Sequence, residues 1–414
     1  MHGNGILVVF IIVSLVSLLM DGLVYRVLRK WSSPWSSAAR RTVLRGYLFL
    51  SVGITIILLL RLASFRTVNG MRPLNEWILS IFLTLFFTKL FFLITWLLVA
   101  GLSLIAGAVK RRNPARAEAS PGRRRFVTDI ALLTAAIPLG GFLYAMLKGK
   151  YDYTLRRVTI YFEDLPAAFD GFTITQLSDI HSGSFDNRAA VQKGINMAIA
   201  QHPDLFVFTG DLVNNSADEI EPYLSMFGAI KAPFGQYSIL GNHDYGDYIR
   251  WENQQQKDDN LAALQGHHAA MDYRLLLDEH VNIQKDGATI SLIGVQNWGR
   301  GFIQKGNLDK ALAGVQPDAF KILLSHDPTH WEDVVRHHPT TIHLTLSGHT
   351  HGAQFGVETD KLRWSPVQYR YLNWAGLINK GKRYLYVNRG FGFLAFSGRL
   401  GIWPEITTIE LKKK

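Results

Sequence analysis

The chain has 414 residues, with 44 Lys and Arg against 33 Asp and Glu, a formal net charge of +11 and no cysteine. An apolar share of 48 % beside 19 % charged residues excludes intrinsic disorder, and the lack of cysteine excludes a disulfide-stapled fold. Residues 1–157 hold 21 basic and 5 acidic side chains, whereas residues 158–414 hold 23 and 28. The basic excess therefore flanks N-terminal apolar runs, and no nucleic acid partner is expected.

Four apolar runs occupy the first 150 residues, and each approaches the roughly 20 residues that cross a bilayer core. They predict a transmembrane domain over 1–150 with about four helices, at 5–24, 45–62, 78–107 and 129–147. The third run contains Lys89, which we expect near an interface or facing the bundle, and Asp21 lies within the first run. A cleaved signal peptide fits the first run poorly, because no basic segment precedes it and further spans follow.

Loop charges give the orientation. The loops between spans one and two and between spans three and four hold 13 basic residues, against three in 61–76 and four in 148–157. The positive-inside rule predicts a multi-pass protein of the bacterial inner membrane whose region after residue 150 is periplasmic or otherwise extracytoplasmic. The stretch Arg123-Arg124-Arg125-Phe126-Val127 resembles a twin-arginine export signal, with a basic stop beside an ordinary span as the alternative.

Residues 151–414 predict a second domain of alternating strands and helices, an α/β class with sheets flanked by helices. A helix is expected over Asn187–Gln201, and the polar stretch Tyr245–His280 is interpreted as an inserted cap. The strand candidates are 172–178, 205–209, 237–240, 290–293, 321–325, 342–346 and 384–387.

Polar residues with metal-binding side chains stand where these strands end. Ligands bind beyond the carboxyl ends of strands in open α/β sheets, so the strand ends are expected to meet in one site. In Asp179-x-His181 and His349-x-His351, alternate side chains can emerge on the same side and address one ion. The remaining blocks are Gly210-Asp211, Gly241-Asn242-His243-Asp244 and Ser325-His326-Asp327. A lone histidine such as His202, His280, His330, His337, His338 or His343 is interpreted as structural.

These five blocks, in this order, resemble the calcineurin-like metallophosphoesterases, whose pattern is D-x-H, G-D, G-N-H-[D/E], H and G-H-x-H. The resemblance covers about residue 158 to the end and implies an α/β sandwich of two sheets flanked by helices. The domain is similar to the membrane-anchored bacterial branch of this family, which includes twin-arginine-exported phosphodiesterases and UDP-2,3-diacylglucosamine pyrophosphohydrolase-like proteins. That branch usually has Gly-His-Thr-His-Gly-Gly-Gln, where this chain has Ala353 in place of the last glycine.

The resemblance implies a hydrolase with two divalent metal ions, such as Mn, Fe or Zn. One ion would be held by Asp179, His181 and His351, the other by Asn242, His326 and His349, and Asp211 would bridge them. His243 would meet the substrate phosphate, and Asp244 would orient its ring. Arg300, Arg389 and the region of Trp298 can contact phosphate or a head group, and an ordinary loop or surface residue is the alternative interpretation of each.

Two ions about 3.5–4 Å apart can clamp a phosphoryl group and lower the pKa of a water between them. The expected function is hydrolysis of a phosphodiester, phosphomonoester or pyrophosphate bond in a phosphorylated substrate, with the membrane anchor favouring a lipid or envelope compound. UDP-2,3-diacylglucosamine is the alternative substrate, although it is cytoplasmic and the predicted topology places the site outside. A non-catalytic membrane sensor or scaffold is the remaining alternative, which missing ligands would indicate.

Overall fold

The computed structural model describes residues 2–62, 73–111 and 123–414, which divide into two compact units. The first unit comprises Met1–Phe65 and Trp77–Met146, and the second comprises Arg66–Glu76 and Leu147–Lys414. Four of the basic residues counted in the loops lie outside the described residues, namely Arg66, Arg72, Arg112 and Arg116. The side chains of Lys110, Arg111, Arg123 and Arg124 also lie outside them.

Within the described residues, four helices are long and apolar enough to cross a membrane, which confirms the predicted four transmembrane helices. The second begins earlier than predicted because the Ser36 side chain accepts the N–H of Ala39 and caps the helix. The helices are α1 His2–Trp31, α2 Ser37–Arg61, α3 Pro73–Arg111 and α4 Arg123–Leu147.

Lys89 of α3 faces the bundle, where it is 5 % exposed. Its ammonium lies 3.0 Å from Asp21 Oδ1 and donates to Ser17 Oγ at 2.7 Å and Ser51 Oγ at 3.0 Å. Ser51 and Tyr47 also donate to Asp21 Oδ1, at 2.7 and 2.6 Å. A buried ion pair with added hydrogen bonds therefore joins α1, α2 and α3 within their apolar lengths.

The second unit is a mixed α/β fold with two six-stranded sheets. Its helices are α5 Arg188–Ile199, α6 Leu224–Phe227, α7 Gln254–Ala270, α8 Leu308–Leu312 and α9 Pro328–Asp333. Its first strands are β1 Thr154–Phe162, β2 Phe172–Leu177, β3 Leu205–Phe208, β4 Gln236–Ser238, β5 Arg274–Leu275, β6 Glu279–Lys285 and β7 Ala288–Gly294. The later strands are β8 Phe320–Leu324, β9 Leu344–Ser347, β10 Val357–Glu358, β11 Arg363–Trp364, β12 Gly376–Lys380, β13 Arg383–Val387 and β14 Glu405–Lys413.

The two sheets have different strand orders but a common design. The first runs β1-β14-β2-β3-β4-β5, with β2 to β5 parallel. The second runs β12-β13-β9-β8-β7-β6, with β13, β9, β8 and β7 parallel. Because parallel neighbours end at the same edge of a sheet, the segments after β2, β3 and β4 meet, and so do those after β8 and β9.

Strand alternation gives each sheet two apolar faces. Leu205 and Val207 of β3 pack in the core between the sheets, while Phe206 and Phe208 pack on the other face with Ile195 of α5. Trp331 of α9 and Leu308 of α8 cover the outer face of the second sheet. The result is the predicted sandwich of two sheets flanked by helices.

Several features of the second unit differ from the sequence predictions, and the predicted strands do not include β1, β5, β6, β10, β11 and β12. The segment 245–280 is not a separate cap, because α7 buries Leu264 and His268 against the first core and the following β5 joins the first sheet. Strand β14 lies between β1 and β2, although the predicted strands ended at residue 387. Its Thr and Glu residues alternate with buried Ile406, Ile409 and Leu411, which is a weaker pattern than a continuous apolar run.

Candidate metal centre

The structure brings together the polar residues that follow five strands. Most of them are buried, and His243 and His349 are partly exposed. Asp179 and His181 follow β2, Asp211 follows β3, Asn242, His243 and Asp244 follow β4, His326 follows β8, and His349 and His351 follow β9.

Asp179, His181 and His351 form a first group, in which one ligand atom from each lies within 4.8 Å of the others. Nε2 of His351 is 3.3 Å from Oδ1 of Asp179. The backbone N–H of His349 donates to both Asp179 oxygens, at 2.8 and 3.0 Å, which ties the end of β9 to the end of β2. One carboxylate and two imidazoles are a donor set that suits a borderline divalent cation.

Asp211, His326 and His349 form a second group by the same criterion. Nδ1 of His326 donates to the carbonyl oxygen of Thr209 at 2.7 Å, so its Nε2 is directed toward the group. Asn242 adds an amide oxygen, since its Nδ2 donates to the Tyr248 hydroxyl at 2.7 Å and Oδ1 is left over.

Asp211, a member of the second group, also lies close to the first. Its Oδ2 is 3.1 Å from Nε2 of His326 in the second group and 3.5 Å from Nε2 of His181 in the first. Its Oδ1 accepts the backbone N–H of His243 at 2.8 Å, which fixes the carboxylate. A carboxylate in this position can serve two cations at once.

The backbone is strained at five of these residues. Asp179, His181, Asp211, His349 and His351 have φ between +47° and +73°, in the left-handed region that non-glycine residues rarely adopt. Each such residue costs on the order of 1–3 kcal/mol, and such outliers concentrate at functional sites. The turn immediately after each strand allows side chains from separate strands to converge.

Two glycines make the close approach possible. A Cβ at Gly241 would collide with the Asp211 carboxylate, and one at Gly348 would collide with the Asp179 carboxylate. The glycines of the G-N-H and G-H-x-H blocks are therefore explained by the space that the carboxylates occupy.

Several buried side-chain atoms of the site fit metal ions because no hydrogen bond satisfies them. Within the described residues, Asn242 Oδ1, His351 Nε2 and both ring nitrogens of His181 have no hydrogen-bond partner. An unpaired buried polar group costs about 1–3 kcal/mol, so their retention here calls for a ligand. The donor types fit a pair of divalent cations.

Burial also sets the protonation states. It raises the pKa of the Asp179 carboxyl to about 7 and lowers the pKa of His181 to about 3 and of His349 to about 4. Burial would raise the pKa of Asp211 too, but the facing His326 and His243 hold it well below its usual range. Burial would lower the pKa of His326, but the facing Asp211 raises it to about 10. Neutral imidazoles and ionised carboxylates are the forms that bind metals, so binding of ions would release a proton from His326 and from Asp179.

His243 stands beside the two groups with one ring nitrogen fixed. Its Nδ1 donates to the carbonyl oxygen of Asn214 at 2.7 Å, so this hydrogen bond does not involve Nε2. Its ring lies edge-on to His181, with centroids 4.9 Å apart, and is 4.4 Å from the ring of Tyr248.

Asp244, which the resemblance assigns to orienting the ring of His243, has other hydrogen-bond partners. Its carboxylate accepts the backbone N–H groups of Asp211 at 2.9 Å, Leu212 at 2.8 Å and Gly241 at 2.8 Å. Asp244 therefore fixes the loops after β3 and β4, and the Asn214 carbonyl orients the imidazole.

Sequence reasoning missed the residues that support His349. Oδ2 of Asp327 and the hydroxyl of Tyr371 lie 3.3 and 2.8 Å from its Nε2. Asp327 had a signal, since it follows His326 at a strand end. Tyr371 lies in a loop that is remote in sequence, and nothing in the sequence indicates its position beside His349.

A further unpredicted neighbour is Arg399, which is fully buried and has Nη2 3.0 Å from Nδ1 of His351. The same nitrogen donates to the carbonyl oxygens of Gly390 at 3.2 Å and Gly392 at 2.6 Å. Arg399 thus links the loop after β13 to the first group.

The three positions weighed as phosphate contacts have other partners. Arg389 is 2 % exposed and donates to Glu405 and Glu358, both at 2.5 Å. Arg300 forms an ion pair with Asp333 at the surface, and Trp298 packs on the ring of His330 with centroids 5.1 Å apart. Arg389 is therefore a structural residue.

Two family models match the chain. The description "Probable Calcineurin-like phosphoesterase, transmembrane domain" matches residues 6–150, and "Calcineurin-like phosphoesterase" matches residues 172–353. The chain belongs to the calcineurin-like metallophosphoesterases. It is accordingly a hydrolase with a transmembrane region, and the predicted family and enzyme class are confirmed.

Similar proteins occur in bacteria and in animals. The chain is 28 % identical over 301 residues to the "Uncharacterized metallophosphoesterase YkuE" of Bacillus subtilis, covering 70 % of this chain and 97 % of that protein. It is 29 % identical to the "Transmembrane protein with metallophosphoesterase domain" of Bos taurus, covering 60 % of this chain and 54 % of that protein. The protein of the same name from Danio rerio is 26 % identical, covering 78 % and 71 %.

Proposed function

We propose that this metallophosphoesterase hydrolyses a P–O bond with two divalent ions held by the two groups of side chains. Asp179, His181 and His351 would hold one ion, Asn242, His326 and His349 the other, and Asp211 both. The observation that carries the proposal is the position of Asp211 Oδ2, 3.5 Å from His181 Nε2 and 3.1 Å from His326 Nε2.

The bound ions would supply an activated water and neutralise charge on the phosphoryl group. His243 would face the substrate through Nε2, because its Nδ1 is fixed by the Asn214 carbonyl. In its protonated form, a histidine so placed can give a proton from Nε2 to the leaving oxygen or stabilise its charge.

The favoured substrate is a phosphorylated lipid or cell-envelope compound. Four membrane-capable helices support this, as does the short connection between α4, which ends at Leu147, and β1, which begins at Thr154. A domain tethered so closely has preferential access to substrates at the membrane surface.

The reaction is tested with full-length protein in detergent, assayed with Mn²⁺, Zn²⁺ or Mg²⁺. The panel contains an aryl phosphomonoester, an aryl phosphodiester, a phospholipid and a nucleotide-linked lipid pyrophosphate. Metal-dependent turnover of at least one ester class is expected. Absence of hydrolysis with all classes and metals would contradict the proposal.

The proposed location of the second unit is the extracytoplasmic side of the bacterial inner membrane. It is supported by the sequence count of 13 basic residues in two loops against 7 in the other two segments. A reporter that is active only outside the cytoplasm, fused after Lys414, should be active. Protease added to spheroplasts should also cleave the domain.

The opposite topology would favour the second candidate substrate, UDP-2,3-diacylglucosamine. In that case the reporter is silent, the domain is protected in spheroplasts, and the purified enzyme releases a nucleoside monophosphate from the nucleotide-linked lipid.

A further inference from the structure

A cavity of about 200 Å³ lies beside the second group of metal-binding side chains. Tyr371 forms part of its wall, and the hydroxyl of Tyr371 is 2.8 Å from Nε2 of His349. Pro328 and Thr329, which directly follow His326 and Asp327 in the chain, form another part. The cavity and the second group therefore share a wall.

The cavity has an excess of positive charge. Three arginines and two acidic residues line it. Arg300 is paired with Asp333, and Arg336 lies 3.1 Å from Glu332. Within the described residues, Arg370 has no carboxylate partner, so its guanidinium is the uncompensated charge.

Arg370 is held by aromatic rings. Its guanidinium carbon is 5.2 Å from the centroid of Phe302 and 5.5 Å from that of Tyr371. Stacking of this kind restricts the side chain, which also forms a hydrogen bond with Tyr371. The remaining N–H groups of the guanidinium fork match a phosphate. Phe302 also packs edge-on to His349, with centroids 4.7 Å apart.

The other polar groups of the cavity are already engaged. The hydroxyl of Thr329 donates to Asp327 at 2.8 Å and accepts the N–H of Arg300 at 2.9 Å. The side-chain amide of Asn373 donates to Glu332. An anion entering the cavity would therefore bind chiefly through Arg370.

We infer that this cavity binds a second phosphate group of the substrate, which makes the preferred substrate a diphosphate; the inference rests on the proposed two-metal hydrolysis. With the terminal phosphate at the metal-binding groups, the phosphate attached to it reaches Arg370. The water oxygen bonds to the terminal phosphorus, and the bond from that phosphorus to the bridging oxygen breaks. The organic monophosphate leaves with the bridging oxygen, and the protons of the water pass to the two phosphate products.

Apolar side chains at the entrance of the cavity can contact an organic chain attached to the diphosphate. Leu372 lines the cavity and is 84 % exposed, and nearby Tyr369 is 80 % exposed. These apolar side chains can contact hydrocarbon beyond the diphosphate. The diphosphate is the shared chemistry, and its source is either a lipid or a small soluble compound.

The test compares full-length wild-type protein and Arg370→Gln in detergent with three probes. They are p-nitrophenyl phosphate, ethyl diphosphate and decyl diphosphate. Loss of a charged hydrogen bond predicts a KM for both diphosphates about 10- to 100-fold higher in Arg370→Gln. The kcat/KM for p-nitrophenyl phosphate should change by less than about twofold, because this probe has no second phosphate to lose that bond.

Two further variants make the comparison specific. Arg370→Lys keeps the charge and should recover part of the diphosphate KM, whereas Arg274→Gln, an exposed arginine on β5, should behave as wild type. Equal loss of all three activities in Arg370→Gln, or no change in any, would overturn the inference while leaving the proposed hydrolysis intact. If the wild type hydrolyses neither diphosphate, the inference is overturned, and the proposed function is judged separately by the phosphodiester and phospholipid of the panel described above.

The chain length of the probe identifies the source of the diphosphate. A higher kcat/KM for decyl than for ethyl diphosphate, reduced by Leu372→Ser, supports a lipid diphosphate. Equal values that Leu372→Ser does not change support a soluble diphosphate. Both results keep the second-phosphate site, provided that Arg370→Gln raises the KM.

Discussion

His243 donates through Nδ1 to the carbonyl oxygen of Asn214 at 2.7 Å. This bond selects one neutral tautomer of the ring and places the lone pair on Nε2. The imidazole is thereby oriented by main chain of the loop after β3, and a change at Asp244 would reach it only indirectly.

His243→Ala is expected to retain its metal ions and to lose about 10²–10⁴-fold in kcat, the range for a positioned general acid or base. Metal content by elemental analysis and turnover of an aryl phosphate measure the two effects separately. His202→Asn, a change at an exposed histidine outside the site, is the control. Loss of metal from His243→Ala would identify this histidine as a ligand instead.

Asp327→Asn is expected to lower metal affinity about 10- to 100-fold, because Asp327 Oδ2 faces Nε2 of His349 at 3.3 Å and a carboxylate behind a ligating histidine raises its basicity. The asparagine oxygen can still cap α9, where Asp327 Oδ1 accepts the N–H of Thr329 at 2.8 Å. The measurement is activity against metal concentration. At saturating metal kcat should approach the wild-type value.

Asp309→Asn, at an exposed position paired with His338, serves as the matched control for Asp327. If Asp327→Asn and Asp309→Asn titrate with metal identically to wild type, Asp327 has only its capping role.

The sequence predicts those residues of the site whose type and position at a strand end indicate metal binding, and it does not predict residues that reach the site through tertiary contacts. Asp179-x-His181 and His349-x-His351 are readable because ligand types at strand ends imply convergence. The carbonyl of Asn214 and the hydroxyl of Tyr371 are not readable, since neither residue type signals its role and each contact joins distant chain segments. The left-handed backbone of Asp179 is a tertiary constraint that overrides local preference.

The fold shows the same division. Strand β3 is a continuous apolar run, β8 is apolar except for Lys321, and β2 mixes apolar with polar residues. All three are almost entirely buried, and the sequence predicts them nearly to the residue. Strand β14 pairs with β1 across some 250 residues of chain and includes buried Thr407 and Glu405. Buried Glu405 accepts hydrogen bonds from Tyr386 and Arg389, and such partners cannot be inferred from spacing.

Ala353→Gly is expected to stabilise the protein. Ala353 has φ +51° and ψ 15°, a left-handed conformation that costs an L residue about 1–2 kcal/mol and glycine little. After the greater chain entropy of glycine is subtracted, the free energy of unfolding should rise by about 0.5–1 kcal/mol. Thermal unfolding in detergent measures the change.

Ala263→Gly, at an exposed position in the middle of α7, is the matched control, since the same exchange at helical φ and ψ should lower the free energy of unfolding by at least about 0.5 kcal/mol. A decrease in stability at Ala353→Gly of similar size would show that the left-handed conformation carries no strain there.

Removing one member of the Asp21–Lys89 pair is expected to destabilise the first unit. Asp21→Asn leaves the buried ammonium of Lys89 without a counter-charge, and Lys89→Met leaves the buried carboxylate of Asp21 without one. Loss of one partner of a buried ion pair costs about 3–5 kcal/mol of stability. The double variant removes both charges and should unfold at a higher temperature than either single variant. Heating followed by size-exclusion chromatography in detergent measures this, with exposed Lys193→Met as control.

An additive result, with the double variant less stable than both single variants, would mean that Asp21 and Lys89 are not energetically coupled. Their separation of 3.0 Å predicts strong coupling.

The number of metal ions bound by Asp211→Asn is the direct test of whether the Asp211 carboxylate serves both groups. Purified wild-type protein, Asp211→Asn and the surface control Asp272→Asn are loaded with Mn²⁺, desalted and analysed for metal and for turnover. We expect two ions per chain in wild type and Asp272→Asn, and loss of ions from both groups with loss of turnover in Asp211→Asn. Two ions and full turnover in Asp211→Asn would contradict this expectation.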